Sequence, residues 1–159
     1  MIITRHNEVF DEITPITEGQ APDFTLTDQN QVAVTLSELS DPIIISVFPD
    51  INTRVCSLQT RRFNAEAAAN ADISFLSISN NTLDEQANWC AAEGVDMTVL
   101  SDEKNEFGKL YGLVMTQSNL LARSVYVIKN GQIIYSEILD EMTDEPNYDR
   151  ALKIAAENK

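Results

Sequence analysis

Apolar residues fall along this chain in two rhythms. Short runs rich in β-branched and aromatic residues read as strands, and longer mixed stretches between them read as helices. Ile43 to Phe48 is apolar on both sides and reads as a strand with both faces covered. Phe24 to Thr27 and Val32 to Leu36 flank the turn Asp28-Gln29-Asn30-Gln31 and read as a hairpin. Ile73 to Ser79, Met97 to Leu100, Arg123 to Lys129 and Gln132 to Ile138 are further strands, the last two joined by a tight Asn130-Gly131 turn. Val9 to Ile16 reads as an extended segment ending at Thr14-Pro15, with His6 before it in an extended tail, and Gly19 to Phe24 is a turn entering a strand. Ser37-Glu38-Leu39 is a short helical turn broken by Asp41-Pro42. Helices are expected from Cys56 to about Asn70, from Leu83 to Glu93, from Asn105 to Tyr111 and from Asn147 to Glu157. Asn81-Thr82 can cap the second of these and Gly94 can end it, Gly112 stops the third, and Pro146 opens the last.

Helices alternate with buried strands, and a terminal hairpin closes the series. That order predicts an α/β fold, a mixed central sheet flanked by helices with an N-terminal β-hairpin, close to a thioredoxin-like arrangement. With 159 residues and 43% apolar content, one domain over residues 1–159 is expected, without repeats or linkers. No window approaches the roughly 18 to 20 apolar residues that span a bilayer. The first residues carry charges and no apolar core, so no secretory signal is expected and the cytoplasm is the expected compartment. A net charge of −14 argues against nucleic acid and against an acidic membrane surface as partners.

Against that acidic background, three of the six arginines, Arg54, Arg61 and Arg62, cluster around Cys56. Cys56 falls where the buried strand Ile43 to Phe48 has ended and a helix begins. Ligands and chemistry gather at the carboxyl ends of strands in open α/β sheets. Free N–H groups and the positive end of a helix favour the thiolate there, and Arg54 stands two residues away. Redox or acyl-transfer chemistry at Cys56 is the first expectation. A cysteine hydrolase needs a histidine base, and the only histidine, His6, is not placed near Cys56 by the sequence. A C-x-x-C dithiol is absent, and metal ligation finds little support. Cys90 sits within the helix Leu83 to Glu93, where a cysteine can equally be a small core hydrophobe. What remains is a thiolate activated without histidine, suited to an electrophile such as a peroxide O–O bond.

Pro49-x-x-x-Thr53-x-x-Cys56 resembles the active-site pattern of peroxiredoxins, and the run from Phe48 to Cys56 most resembles the thiol peroxidase subfamily, the atypical two-cysteine peroxiredoxins. Gly19-x-Ala21-Pro22-Asp23-Phe24, Arg62-Phe63-Asn64, Ser77-Ile78-Ser79, Cys90, Ser101-Asp102, Tyr111-Gly112 and Leu120-x-x-Arg123-Ser124-Val125 extend the resemblance over the whole length. The chain departs from the subfamily at Asp50, at Asn52 and in the stretch Asn80 to Gln86. The resemblance implies a peroxidatic Cys56 and a resolving Cys90. Thr53 would hydrogen-bond the thiolate and the peroxide, Pro49 would shield the sulfur, and Arg123 would hold the thiolate and polarise the peroxide. It implies no cofactor, a hydroperoxide substrate, thioredoxin as reductant and a homodimer, with Ile51, Leu113, Val114, Met115 and Leu120 as candidate interface residues. A redox sensor would use the same reactive Cys56 and is separated from a peroxidase by turnover. A non-catalytic module of the same fold would make Cys56 dispensable. Disulfide geometry adds one expectation: cysteines on two helices start too far apart, so the first turn at Cys56 or the helix around Cys90 must unwind.

Overall fold

The computed structural model describes all residues 1–159. Ten strands and four helices follow the order β1 (Ile2–Arg5), β2 (Glu8–Glu12), β3 (Gly19–Gln20), β4 (Thr25–Asp28), β5 (Ala33–Thr35), β6 (Ile43–Val47), α1 (Arg54–Ala69), β7 (Ser74–Ser79), α2 (Leu83–Glu93), β8 (Thr98–Ser101), α3 (Glu106–Tyr111), β9 (Ser124–Lys129), β10 (Gln132–Ile138) and α4 (Tyr148–Glu157). Eight strands form one mixed sheet in the order β3-β10-β9-β6-β7-β8-β4-β5. β6, β7 and β8 run parallel at its centre, and the strands on either side join antiparallel.

Alternation along the central strands sorts the core into two layers. Ile43, Ile45 and Val47 of β6 and Tyr126 and Ile128 of β9 enter one apolar cluster, with Phe107, Tyr111, Leu113 and Leu121 from the α3 side. Ile44 of β6 and Val125 and Val127 of β9 enter the other, with Phe63 and Cys56 of α1, Cys90 of α2 and Ala151 and Ala155 of α4. A sheet covered on both faces explains why β6 is apolar at nearly every position. α1 and α2 are the crossovers between parallel neighbours, so both lie on the same side. β6 therefore ends directly beneath the first turn of α1, and that junction carries Cys56.

The sequence reading differs at four places. The segment before Val9 is no tail: β1 pairs antiparallel with β2 in a separate hairpin, and His6 and Asn7 form its turn with φ of 52° and 65°. Four residues with only Ile3 buried carry too little pattern to be read as a strand. Thr82, not Asn81, caps α2, through a capping box with Glu85. Gly19-Gln20 is a short strand on β10 rather than only a turn. Ile51, Leu113 and Met115 are fully buried core residues and cannot form an interface, whereas Val114 and Leu120 remain half-buried.

Candidate active site

Cys56 is the third residue of α1 and has no exposed surface. The N-cap is Thr53, whose backbone is extended and whose side chain leaves the helix amides uncapped. Thr53 Oγ1 instead donates to the Asp50 carbonyl at 2.9 Å, so the hydrogen bond to the thiolate expected from the resemblance is not the one formed. Its oxygen lone pairs stay available to accept. The first turn thus keeps its N–H groups and its positive end for another ligand.

Arg123 meets the sulfur from the opposite side. Leu121 to Arg123 lead into β9, which lies against β6, so the arginine is delivered to the end of the same strand pair. Its Nη1 donates to Cys56 Sγ at 3.2 Å and to Gln59 Oε1 at 3.0 Å. Its Nε and Nη2 donate to the Met142 carbonyl at 3.3 and 3.0 Å. Arg123 is only 3% exposed and makes no ion pair with any carboxylate. A buried guanidinium without an anion is costly, and the one group in contact with it that can become an anion is the Cys56 thiol.

Arg54, which the sequence places nearest the thiol, does not hold it. Its side chain is exposed at the mouth of the site, because the first residue of a helix points away from the sheet that buries the third. Arg61 and Arg62 lie farther along α1 in surface pairs, Arg61 with Glu93 at 2.6 Å and Arg62 with Asp149 at 2.8 Å.

Sequence reasoning missed Gln59. It is fully buried one turn after Cys56, donates Nε2 to Ser46 Oγ and to the Val47 carbonyl, and offers Oε1 to Arg123. The signal was its i+3 spacing, which puts both side chains on one helix face. Met142 was unreadable, since its contribution is a backbone carbonyl.

Beside the first turn of α1 opens a depression of about 240 Å³, lined by residues on either side of the fully buried Cys56 but not by Cys56 itself. Pro49, Thr53, Val55 and Arg123 line it from the core of the fold, and Arg5, His6 and Phe10 of the N-terminal hairpin line it from outside. Two carboxylates fasten that hairpin. Glu141 accepts from Thr4 Oγ1 at 2.9 Å, from Asn7 N at 2.7 Å and from Thr143. The Thr143 hydroxyl and the amides of Asn7 and Thr143 hold its carboxyl at about 2. Asp11 is buried, which raises its pKa, but the Ser118, Gln117 and Glu12 amides prevail and bring it down to about 2.

Cys90 lies elsewhere. It is buried on α2 and borders a different depression, with Gln29, Asn30, Ala87, Ala91, Val95 and Asp96. Burial pushes its thiol up to about 11. Both cysteines are free. A polar chain runs from the Cys56 loop to α2. Asn81 Oδ1 accepts from Ile51 N at 2.8 Å and from Ser79 Oγ, Asn81 Nδ2 donates to Asp50 at 2.9 Å, and Gln86 Nε2 donates to Ser79 Oγ. Gln86 Oε1 is buried without a partner. No group of three histidine, cysteine or acidic side chains could hold a metal ion, and no helix is long and apolar enough to cross a membrane.

A thioredoxin-like sheet that presents a buried thiol at a helix amino terminus, against an unpaired arginine, defines a thiol-dependent redox protein. Comparison with known proteins agrees. The redoxin family pattern matches residues 17–152. The thiol peroxidase of Bacillus subtilis is 41% identical over 140 residues, covering 86% of this chain and 84% of that one. The thiol peroxidase of Staphylococcus haemolyticus is 41% identical over 157 residues, covering 96% and 95%. Among solved structures, a peroxiredoxin-like protein from Aquifex aeolicus superimposes with a TM-score of 0.91 at 22% identity over 99% of this chain and 97% of that one, which bears on fold alone. The chain belongs to the redoxin family and, within it, to the thiol peroxidases of the peroxiredoxin group.

Proposed function

We propose that this thiol peroxidase reduces hydroperoxides at Cys56 and completes the cycle through a disulfide with Cys90. One observation carries the reading: Arg123 is buried, unpaired by any carboxylate, and 3.2 Å from Cys56 Sγ. The thiolate attacks the terminal oxygen of the hydroperoxide. An S–O bond forms, the O–O bond breaks, and sulfur passes two electrons to the peroxide to become a sulfenic acid. The leaving alkoxide takes a proton from water and departs as the alcohol. Arg123 and the uncapped α1 amides stand where negative charge develops on the oxygens. Thr53 Oγ1, with its own hydrogen on Asp50, accepts the peroxide hydrogen and aims the terminal oxygen at sulfur. Pro49, buried beside the mouth, limits water.

Cys90 then attacks the sulfenic sulfur, an S–S bond forms and water leaves. Its thiol, pushed up to about 11 by burial, stays protonated until α2 loosens and exposes it. The unpartnered Gln86 oxygen inside α2 favours opening of that helix, and Gly94, which ends it in the left-handed region with φ of 67°, gives the chain a flexible point about which to open. A thioredoxin-type dithiol restores both thiols by exchange. Such chemistry suits a reducing cytoplasm, and the expected working unit is a homodimer, which sedimentation would test.

Mass spectrometry after one equivalent of cumene hydroperoxide tests the scheme. Wild type should lose two hydrogens, Cys90→Ser should gain oxygen, and Cys56→Ser should be unchanged. Peroxide consumption by Cys56→Ser at the wild-type rate would refute it.

A further inference from the structure

Four of the six arginines make no ion pair, and three of these, Arg5, Arg54 and Arg123, line the one depression at the first turn of α1. In a chain of net charge −14, unpaired cations do not gather by composition. His6 stands among them, and the only carboxylate in the lining is Asp50. Asp50 Oδ1 is already engaged by Asn52 N, Asn52 Nδ2 and Asn81 Nδ2. Glu141, behind the rim, spends both its oxygens on the hairpin and on Thr143. The mouth is therefore a local positive region on an acidic protein, and such a region draws in anions.

The three arginines are not equivalent. Arg123 is inside, on the sulfur. Arg5 and Arg54 are exposed at the mouth, Arg5 with its guanidinium 5.8 Å from the centre of the Phe10 ring. The same wall carries four apolar side chains, Phe10, Val55, Leu120 and Met142, with Phe10 beside Arg5. A ligand that matches this layering has a hydroperoxide at one end, an apolar body, and a negative charge at the other end.

From this layering we infer that the site selects hydroperoxides bearing a carboxylate, and that Arg5 and Arg54 are the specificity-determining residues that receive it. The inference rests on the peroxidase reading of Cys56 and deepens it. The chemistry at sulfur is unchanged: the S–O bond forms as the O–O bond breaks, sulfur is oxidised by two electrons, and the alkoxide is protonated by water. The carboxylate at the mouth takes no part in these steps. It binds, and it fixes which end of the molecule goes in first.

The test compares linoleic acid hydroperoxide with its methyl ester, below micelle-forming concentration, with cumene hydroperoxide as a neutral reference. Two exposed arginines should give the free acid a kcat/KM about three- to tenfold above the ester. That preference should fall toward unity in Arg5→Gln and Arg54→Gln, survive in Arg5→Lys, and shrink as ionic strength rises past about 0.3 M. A wild-type ratio of one overturns the inference, as does a preference that the glutamine variants leave intact. An equal fall for acid and ester that appears only at limiting reductant also overturns it, because the cations would then serve the reductant. Failure of wild type to consume even cumene hydroperoxide would remove the peroxidase reading, a result distinct from a lost preference.

Discussion

An arginine buried without a carboxylate leaves its charge to whatever else lies within reach. For Arg123 that is one sulfur, one amide oxygen and one backbone carbonyl. Replacing it with glutamine should keep the fold and lower the second-order rate with cumene hydroperoxide by about 10²–10³, the scale for loss of one donor to a developing oxyanion. Stopped-flow kinetics would measure it. A rate within threefold of wild type would show that the guanidinium is only a packing group. Gln59→Leu acts through another residue and separates position from presence. It strands Ser46, the Val47 carbonyl and one edge of Arg123, and should cost about 1–3 kcal/mol in urea unfolding. The rate should fall as well, although no group facing the peroxide has been removed.

At the scale of elements, the proposed roles of the two cysteines ask opposite things of their helices. In the proposed cycle α1 must hold its first turn so that amides, Thr53 and Arg123 stay in register, whereas α2 must let go. The α2 amino terminus is closed by the Thr82–Glu85 capping box. Thr82→Ala removes the side-chain half of that box and weakens the helix end by about 1 kcal/mol. Opening should become up to about fivefold easier, and disulfide formation faster in proportion. Trp89, beside Cys90 and half-buried, supplies a fluorescence signal for the step. Unaltered disulfide kinetics in a Thr82→Ala protein of lowered stability would show that α2 does not have to open there. α3 is held at its end by close backbone packing. Gly112 ends it with φ of +68°, and an added Cβ would meet the Thr14 carbonyl oxygen at 2.1 Å. Gly112→Ala should destabilise the protein by more than about 1 kcal/mol, since a left-handed backbone and a backbone clash coincide.

Across the whole molecule, the N-terminal hairpin is a separate two-stranded sheet that roofs the site and is fastened by two carboxylates and by backbone hydrogen bonds of Thr4 with Asp140 and Met142 rather than by pairing with the main sheet. The Glu141 carboxyl lies at about 2 in the folded protein against an ordinary 4.5. A lowered carboxyl stabilises the fold above its unfolded value and loses that contribution as pH falls through its folded value. The stability advantage of wild type over Glu141→Gln should therefore be level above about pH 4.5, shrink below it and vanish near pH 2. Thermal unfolding along a pH series checks this, and an advantage that persisted unchanged below pH 2 would contradict it. Loosening the roof should also raise the apparent KM for large hydroperoxides more than for hydrogen peroxide, since only the large ones reach Arg5 and Phe10.

The order of strands and helices was legible from the residues because period and punctuation are local. Ile43 to Phe48 could be nothing but a covered strand, and Asn130-Gly131 nothing but a turn. The placement of Cys56 at a helix start followed from the same local reading, and the resemblance supplied Arg123 and Cys90. The local pattern by itself pointed to Arg54, which is adjacent in the chain, and only the resemblance named Arg123, which arrives at the sulfur from 67 residues away through the pairing of β9 with β6. The hairpin roof escaped for a like reason: its strands are too short to show a period, and its anchors Asp11 and Glu141 grip amides and hydroxyls far along the chain. Neighbour-to-neighbour sterics and hydrophobic spacing determine elements, so the sequence alone decided those. Charges and hydrogen bonds act through space, so only the folded chain decided what surrounds the sulfur.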